Sequence, residues 1–79
     1  MAVNAYILIQ TEVGKAADVA RRIRDLSGVV AADDVTGPYD VIVRAEVETM
    51  NDLGHYVVGP LQLLEGITKT LTCPVVDLG

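Results

Sequence analysis

Asp40-Val41-Ile42-Val43-Arg44-Ala45-Glu46-Val47 carries the cleanest alternation in the 79-residue chain. Val41, Val43, Ala45 and Val47 fall on one side and Asp40, Ile42, Arg44 and Glu46 on the other, the pattern of an antiparallel strand with one face on a core. Gly37-Pro38 just before it punctuates the chain as a turn. Residues 29–36, ahead of that turn, read as another strand, apolar and β-branched at its ends with Asp33-Asp34 inside.

Toward the N-terminus, residues 3–10 alternate as a strand, with Val3, Ala5, Ile7 and Ile9 on one side and Asn4, Tyr6, Leu8 and Gln10 on the other. Neither side is fully polar. From Ala16 the period changes: Ala16, Val19, Ala20, Ile23 and Leu26 recur at helical spacing opposite Lys15, Asp18, Arg21, Arg22 and Asp25. Ser27-Gly28 ends this helix, glycine being suited to the left-handed cap. Toward the C-terminus, Thr49 begins a second helix with Asp52 in a capping-box-like position, where its carboxylate suits the helix dipole. Met50, Leu53, Tyr56, Val57, Leu61 and Leu64 form its apolar stripe, Gly54 weakens it, and Gly59-Pro60 is expected to kink it or split off a short final turn. After Glu65-Gly66, residues 67–76 read as the last strand, with Ile67, Leu71, Cys73 and Val75 on the core side and Thr68, Thr70 and Thr72 on the other.

Strand, helix, strand, strand, helix, strand, joined by short connections and right-handed crossovers, is the order of an α+β ferredoxin-like βαββαβ sandwich. That fold is a four-stranded antiparallel sheet with two helices on one face, expected here as a single domain over residues 1–79. The other sheet face would carry Tyr6, Leu8, Ile42, Arg44 and Thr70, too apolar to be left to water and too polar for an ordinary monomer core. A domain of this size hides only about 60 to 65% of the surface its unfolded chain exposes. Cys73 and His55, the single cysteine and histidine, supply neither a disulfide nor a structural metal. With 51% hydrophobic residues and a mean hydropathy of +0.38, part of the apolar surface is expected to be covered by copies of the same chain, in a homodimer or a larger oligomer.

Eleven acidic against six basic residues give a net charge of -5, which repels phosphate backbones, so no direct nucleic-acid partner is expected. No apolar run approaches the roughly 18 residues needed to span a bilayer, and residues 1–10 carry no leading positive charge. A cytoplasmic location without membrane attachment is expected, consistent with an unpaired thiol. Catalytic chemistry is sparse. Cys73 reads as a small buried hydrophobe and His55 as a solvated or hydrogen-bonded helix residue. Asp33 and Asp34 are adjacent in a strand and so point to opposite faces, while Arg21, Arg22 and Arg24 read as surface ion-pairing groups. No catalytic residue, metal or cofactor is expected.

The most informative stretch is Thr36-Gly37-Pro38-Tyr39-Asp40 leading into the valine strand. Gly37 admits close backbone approach, Pro38 stiffens the turn, and Asp40 sets an anion at a sheet edge beside threonine hydroxyls. Such groups can hold a zwitterion, the carboxylate taking an ammonium and backbone N–H groups and hydroxyls taking a carboxylate. From spacing alone, a hairpin turn with a solvated aspartate is the simpler reading. Thr36-Gly37-Pro38-Tyr39-Asp40 resembles, however, the T-G-x-Y-D signature of the effector-binding (RAM) domain of leucine- and asparagine-responsive regulators, the Lrp/AsnC family. Glu65-Gly66-Ile67-Thr68-Lys69-Thr70-Leu71-Thr72 resembles that family's P-G-V-x-x-T-x-T run into the last strand, and the likeness extends over nearly the whole chain at the right spacings.

The resemblance implies a domain that pairs into dimers, commonly assembled as rings of four dimers making an octamer, with amino-acid effectors held between dimers. Carried over by position, the ligand-binding residues would be Gly37, Pro38, Tyr39, Asp40, Thr70 and Thr72. It also implies a stand-alone form, because Met1 leads directly into the first strand without the helix-turn-helix of full-length members. Such a module would modulate transcription through a full-length regulator of the same family. Glu65 in place of a proline, Val13 before Gly14 and the Gly59-Pro60 interruption depart from the family pattern, the last bearing on oligomer size. Two other readings stay open: a small dimeric ferredoxin-like enzyme, and a purely structural assembly domain.

Overall fold

The computed structural model describes residues 2–76. Its elements are β1 (Val3–Thr11), α1 (Ala16–Arg24), β2 (Val29–Asp34), β3 (Val41–Val47), a helical segment α2 over residues 50–61, and β4 (Ile67–Pro74). The strands form one antiparallel sheet in the order β2-β3-β1-β4. This is the ferredoxin-like sandwich that the alternation and element order predict.

Pairing sets the core. Ile9 opposes Val41, Ile7 opposes Val43 and Ala5 opposes Ala45, so the apolar sides of β1 and β3 coincide, and all six residues are buried. Val19, Ala20 and Ile23 of α1 and Leu53, Val57 and Leu61 of α2 close over that face. Each branched side chain buried in this way stabilises the fold by about 1.5 to 3 kcal/mol before entropy is counted. On the outer face of α1, Asp18 pairs with Arg21 and, at 3.1 Å, with Arg22, while Arg24 Nε donates to the carbonyl of Ala32 at 2.9 Å. Asp33 and Asp34 are both exposed and their cross-strand partners, Ile42 and Val41, lie on opposite faces.

α2 departs from expectation in an instructive way. Thr49 caps it as expected, its hydroxyl accepting from the Asp52 amide at 3.0 Å. The helical conformation continues through Gly59-Pro60: the turn before it, Leu53–Val58, is wound as a π-helix, and Gly59–Leu61 follows as a short final α-helical turn. Pro60 has no N–H, and in an α-helix its ring would meet the carbonyl four residues back. The wider turn lets the Gly59 amide donate to the Gly54 carbonyl instead. A Cβ on Gly59 would stand 3.0 Å from that carbonyl, so glycine suits the position. His55 sits exposed on this turn, edge-on to Tyr56 with ring centroids 4.8 Å apart.

β4 corrects the expected facing of the last strand. Its pairing with β1 shifts between Gln10 and Thr11: Gln10 opposes Lys69, but Thr11 opposes Ile67, leaving Thr68 as the extra residue of a bulge. Beyond the bulge the alternation inverts. Thr70 and Thr72 oppose Ile9 and Ile7 and lie on the helix side, whereas Leu71 and Cys73 oppose Leu8 and Tyr6 on the open face. Thr70 therefore does not lie on the open face, and Cys73 is exposed rather than part of the core. Among the described residues no helix is long and apolar enough to cross a membrane.

Gly28 joins α1 to β2 with φ at +87°, and a Cβ there would lie 2.8 Å from Val47 Cγ1 and 3.3 Å from Val57 Cγ2. Gly28→Ala combines left-handed strain with a clash against both β3 and α2. It is expected to lower unfolding free energy by roughly 1 to 3 kcal/mol, measured by urea denaturation.

Candidate functional site

The turn between β2 and β3 is fixed from both sides. The Val35 amide donates to the Asp40 carbonyl at 2.9 Å, closing the loop, and the Asp40 amide donates to the Ile9 carbonyl at 2.8 Å, tying the loop to β1. Asp40 Oδ2 accepts from the Thr11 amide at 2.8 Å and from the Thr11 hydroxyl at 3.3 Å. Gln10 Nε2 donates to the Pro38 carbonyl at 3.0 Å. Thr36, Gly37 and Pro38 are exposed, Tyr39 and Asp40 half-buried, and a Cβ added to Gly37 would meet nothing within 4 Å. The result is a braced turn whose tip opens onto free space.

The threonines of β4 lie elsewhere. β3 and β4 flank β1 on opposite sides, so the turn and Thr70 are separated by a full strand, about 9 to 10 Å across the sheet. The hydroxyl beside Asp40 is that of Thr11 and not one of the β4 threonines. Gly37, Pro38, Tyr39 and Asp40 stand together; Thr70 and Thr72 are half-buried on the helix side of an edge strand. Thr70 lines a shallow cleft of about 190 Å³ with Gln62, Ile67, Thr68 and Lys69, and no residue of the turn borders it. A larger, charged cleft of about 430 Å³ opens between Glu12, Lys15, Asp18, Arg22 and Gly66. His55 and Cys73 line neither cleft.

What connects the two halves is the end of β1. Thr68, the bulge residue, donates its hydroxyl to the Gln10 carbonyl at 3.2 Å, and the Glu12 amide donates to the Gly66 carbonyl at 2.8 Å. Gln10 and Thr11 thus touch the turn on one side and the start of β4 on the other. Reading the sequence assigned no role to either residue. The available signal was slight: two polar residues, Gln10 and Thr11, closing a strand that is apolar from Ala5 to Ile9.

The family model described as the Lrp/AsnC ligand binding domain matches residues 4–77. An uncharacterised HTH-type transcriptional regulator of Pyrococcus abyssi is 34% identical over 65 residues, which cover 73% of this chain and 44% of that protein. The chain thus spans less than half the length of the curated relatives it matches. Among solved structures, the hypothetical protein PHS023 of Pyrococcus horikoshii superposes with a TM-score of 0.87 at 31% identity, covering 95% of this chain and 90% of that one. A transcriptional regulator of Neisseria meningitidis, solved as its complex with L-Met, superposes at 0.80 with 22% identity, over 96% of this chain and 51% of its own, a likeness of fold.

Asp40→Ala would leave the half-buried Thr11 amide without its side-chain acceptor. The variant is expected to lose about 1 to 2 kcal/mol in urea denaturation, and Asp40→Asn, which keeps an acceptor oxygen, less than that.

Proposed function

The chain belongs to the Lrp/AsnC ligand-binding domain family, and from that premise we propose that it is a non-enzymatic module that senses a small amino acid, assembles with copies of itself, and modulates a regulator of the same family. Relatives named as transcriptional regulators support the regulatory part of this reading, and the L-Met complex of the Neisseria regulator supports an amino-acid ligand. The observation that carries it is an uncovered apolar sheet face lying beside a braced, open-tipped turn.

On the open face Leu8 stands between Ile42 and Leu71, and Tyr6 between Arg44 and Cys73. Tyr6, on a central strand, and Leu71, on the edge strand β4, are each 45% exposed. Arg44 and Lys69 share this face with Glu46 and Asp33, so it carries both signs of charge. A surface with an apolar centre and mixed charges at its margin is self-complementary under a two-fold axis. A second copy of the chain is therefore its occupant, and pairs of copies would assemble further.

Between such pairs, Gly37, Pro38, Tyr39 and Asp40 would face an effector, with Thr70 and Thr72 contributed from β4. One oxygen of Asp40 is taken up by Thr11, and Oδ1 remains to accept an ammonium group. Exposed backbone at the tip would meet the effector's carboxylate. A ligand that binds only the assembled state stabilises it by mass action, which links amino-acid concentration to oligomer size and so to co-assembly with a full-length regulator.

The engagement of Asp40 with Thr11 favours one competing reading, a purely structural assembly domain whose aspartate only locks a turn. Calorimetry of the assembled protein against the twenty amino acids separates the two: heat of binding for at least one is expected, and silence from all at millimolar concentration would leave only the structural reading. Assembly is checked independently. Leu71→Lys places a charge beside Leu8 on the open face without disturbing the core, and sedimentation is expected to show a shift toward monomer with the chain still folded.

A further inference from the structure

We propose that Gln10 and Thr11, at the end of β1, are the positioning residues of the effector site, holding the Gly37–Asp40 turn in its receptive shape and in fixed relation to the start of β4. This inference rests on the turn being the amino-acid site. Its basis is the pattern of hydrogen bonds where β1 meets the bulge of β4. Thr11 offers both its amide and its hydroxyl to a single oxygen of Asp40, which fixes the rotation of the carboxylate and so the direction of the oxygen left over. Gln10 donates its side-chain amide to the Pro38 carbonyl, fixing the peptide that follows Pro38 and with it the direction of the Tyr39 N–H. The Gln10 carbonyl accepts from the Thr68 hydroxyl, and the next residue but one, Glu12, donates its amide to Gly66. Two segments far apart in sequence are thereby held to one three-residue stretch.

The bulge makes this possible. Gln10 and Thr11 stay in the ladder, opposite Lys69 and Ile67, while Thr68 between those two has no cross-strand partner. The extra residue lets Thr68 turn its hydroxyl onto the Gln10 carbonyl while Ile67 still packs toward the core opposite Thr11. Side chains that orient a polar binding group contribute to affinity by removing conformations the group would otherwise sample. Gln10 and Thr11 would act on effector affinity in this way without touching the effector.

The test uses the whole chain in its assembled form and three variants: Thr11→Val, which keeps the volume and loses the hydroxyl; Thr11→Ser, which keeps the hydroxyl; and Gln10→Leu, which loses the amide. Amide proton–nitrogen spectra of Gly37, Tyr39 and Asp40 report the turn without any ligand, and calorimetry against the twenty amino acids reports affinity. Thr11→Val and Gln10→Leu are expected to shift those amides and to weaken binding of whichever amino acid the unmodified chain takes up by about three- to tenfold, the loss of one oriented hydrogen bond. Thr11→Ser is expected to restore both. Unmoved turn amides in Thr11→Val and Gln10→Leu would overturn the proposal. Shifted amides with unchanged affinity would also overturn it while leaving the amino-acid site standing. No heat from any amino acid with the unmodified chain would remove the site and this inference with it.

Discussion

β1 is paired on both sides, to β3 through residues 3–9 and to β4 through residues 5–11, and the rest of the domain is placed by that pairing. Its odd-numbered side chains Ala5, Ile7 and Ile9 are fully buried beneath the two helices, and their cross-strand partners on β3 are buried with them. A strand so placed has no freedom of register, since a slip of one residue would turn three buried aliphatic side chains to the open face and bring Tyr6, Leu8 and Gln10 under the helices. The end of this strand therefore has a fixed place relative to both neighbouring strands. It is where the Pro38–Asp40 turn and the Gly66–Thr68 segment are both attached.

That constraint explains which parts of the fold were legible in the sequence. β1 and β3 are central strands with one face on a core, and their two-residue alternation reports burial directly. The amphipathic period of α1 and the Thr49 cap are equally local signals; the cap stands where the pattern puts it, and α1 begins as expected at Ala16 but ends at Arg24, short of Ser27-Gly28. β4 misled because its alternation was counted from Ile67 through a bulge. Its extra residue, Thr68, leaves Ile67 on the core side but sends Leu71 and Cys73 outward, and no feature of Ile67-Thr68-Lys69-Thr70 marks the shift. β4 is an edge strand, so its two faces differ less in burial and the sequence is under weaker pressure to display the difference.

The π-helical turn of α2 belongs to the same class of signal. Proline after glycine in a helix announces that a hydrogen bond is missing; whether the helix breaks or widens depends on what the packed side demands. Leu53, Val57 and Leu61 are spaced for one continuous buried stripe, all three within 2% of full burial. Breaking the helix at Pro60 would have removed Leu61 from that stripe, and burying a leucine is worth about 1.5 to 3 kcal/mol. Widening one turn keeps it, with the Gly59 amide bonded to the Gly54 carbonyl five residues back.

The candidate site was legible in outline and not in construction. By residue type and spacing, Gly37, Pro38 and Asp40 read as an ordinary hairpin turn with a solvated aspartate, and it is the T-G-x-Y-D resemblance that singles the stretch out. What the residue types do not show is how Asp40 is held. A carboxylate has two oxygens and room for about four hydrogen bonds. Oδ2 is directed inward to the Thr11 amide and hydroxyl. A carboxylate anchored through one oxygen keeps its second oxygen in fixed relation to the first, so an anchored Asp40 is compatible with either a structural or a ligand-binding role. Thr11 could not be picked out in advance, as its importance comes from a hydrogen bond to a residue 29 positions away. Threonine at a strand end is too ordinary to signal such a partner, and only the pairing of β1 with β3 brings the two together.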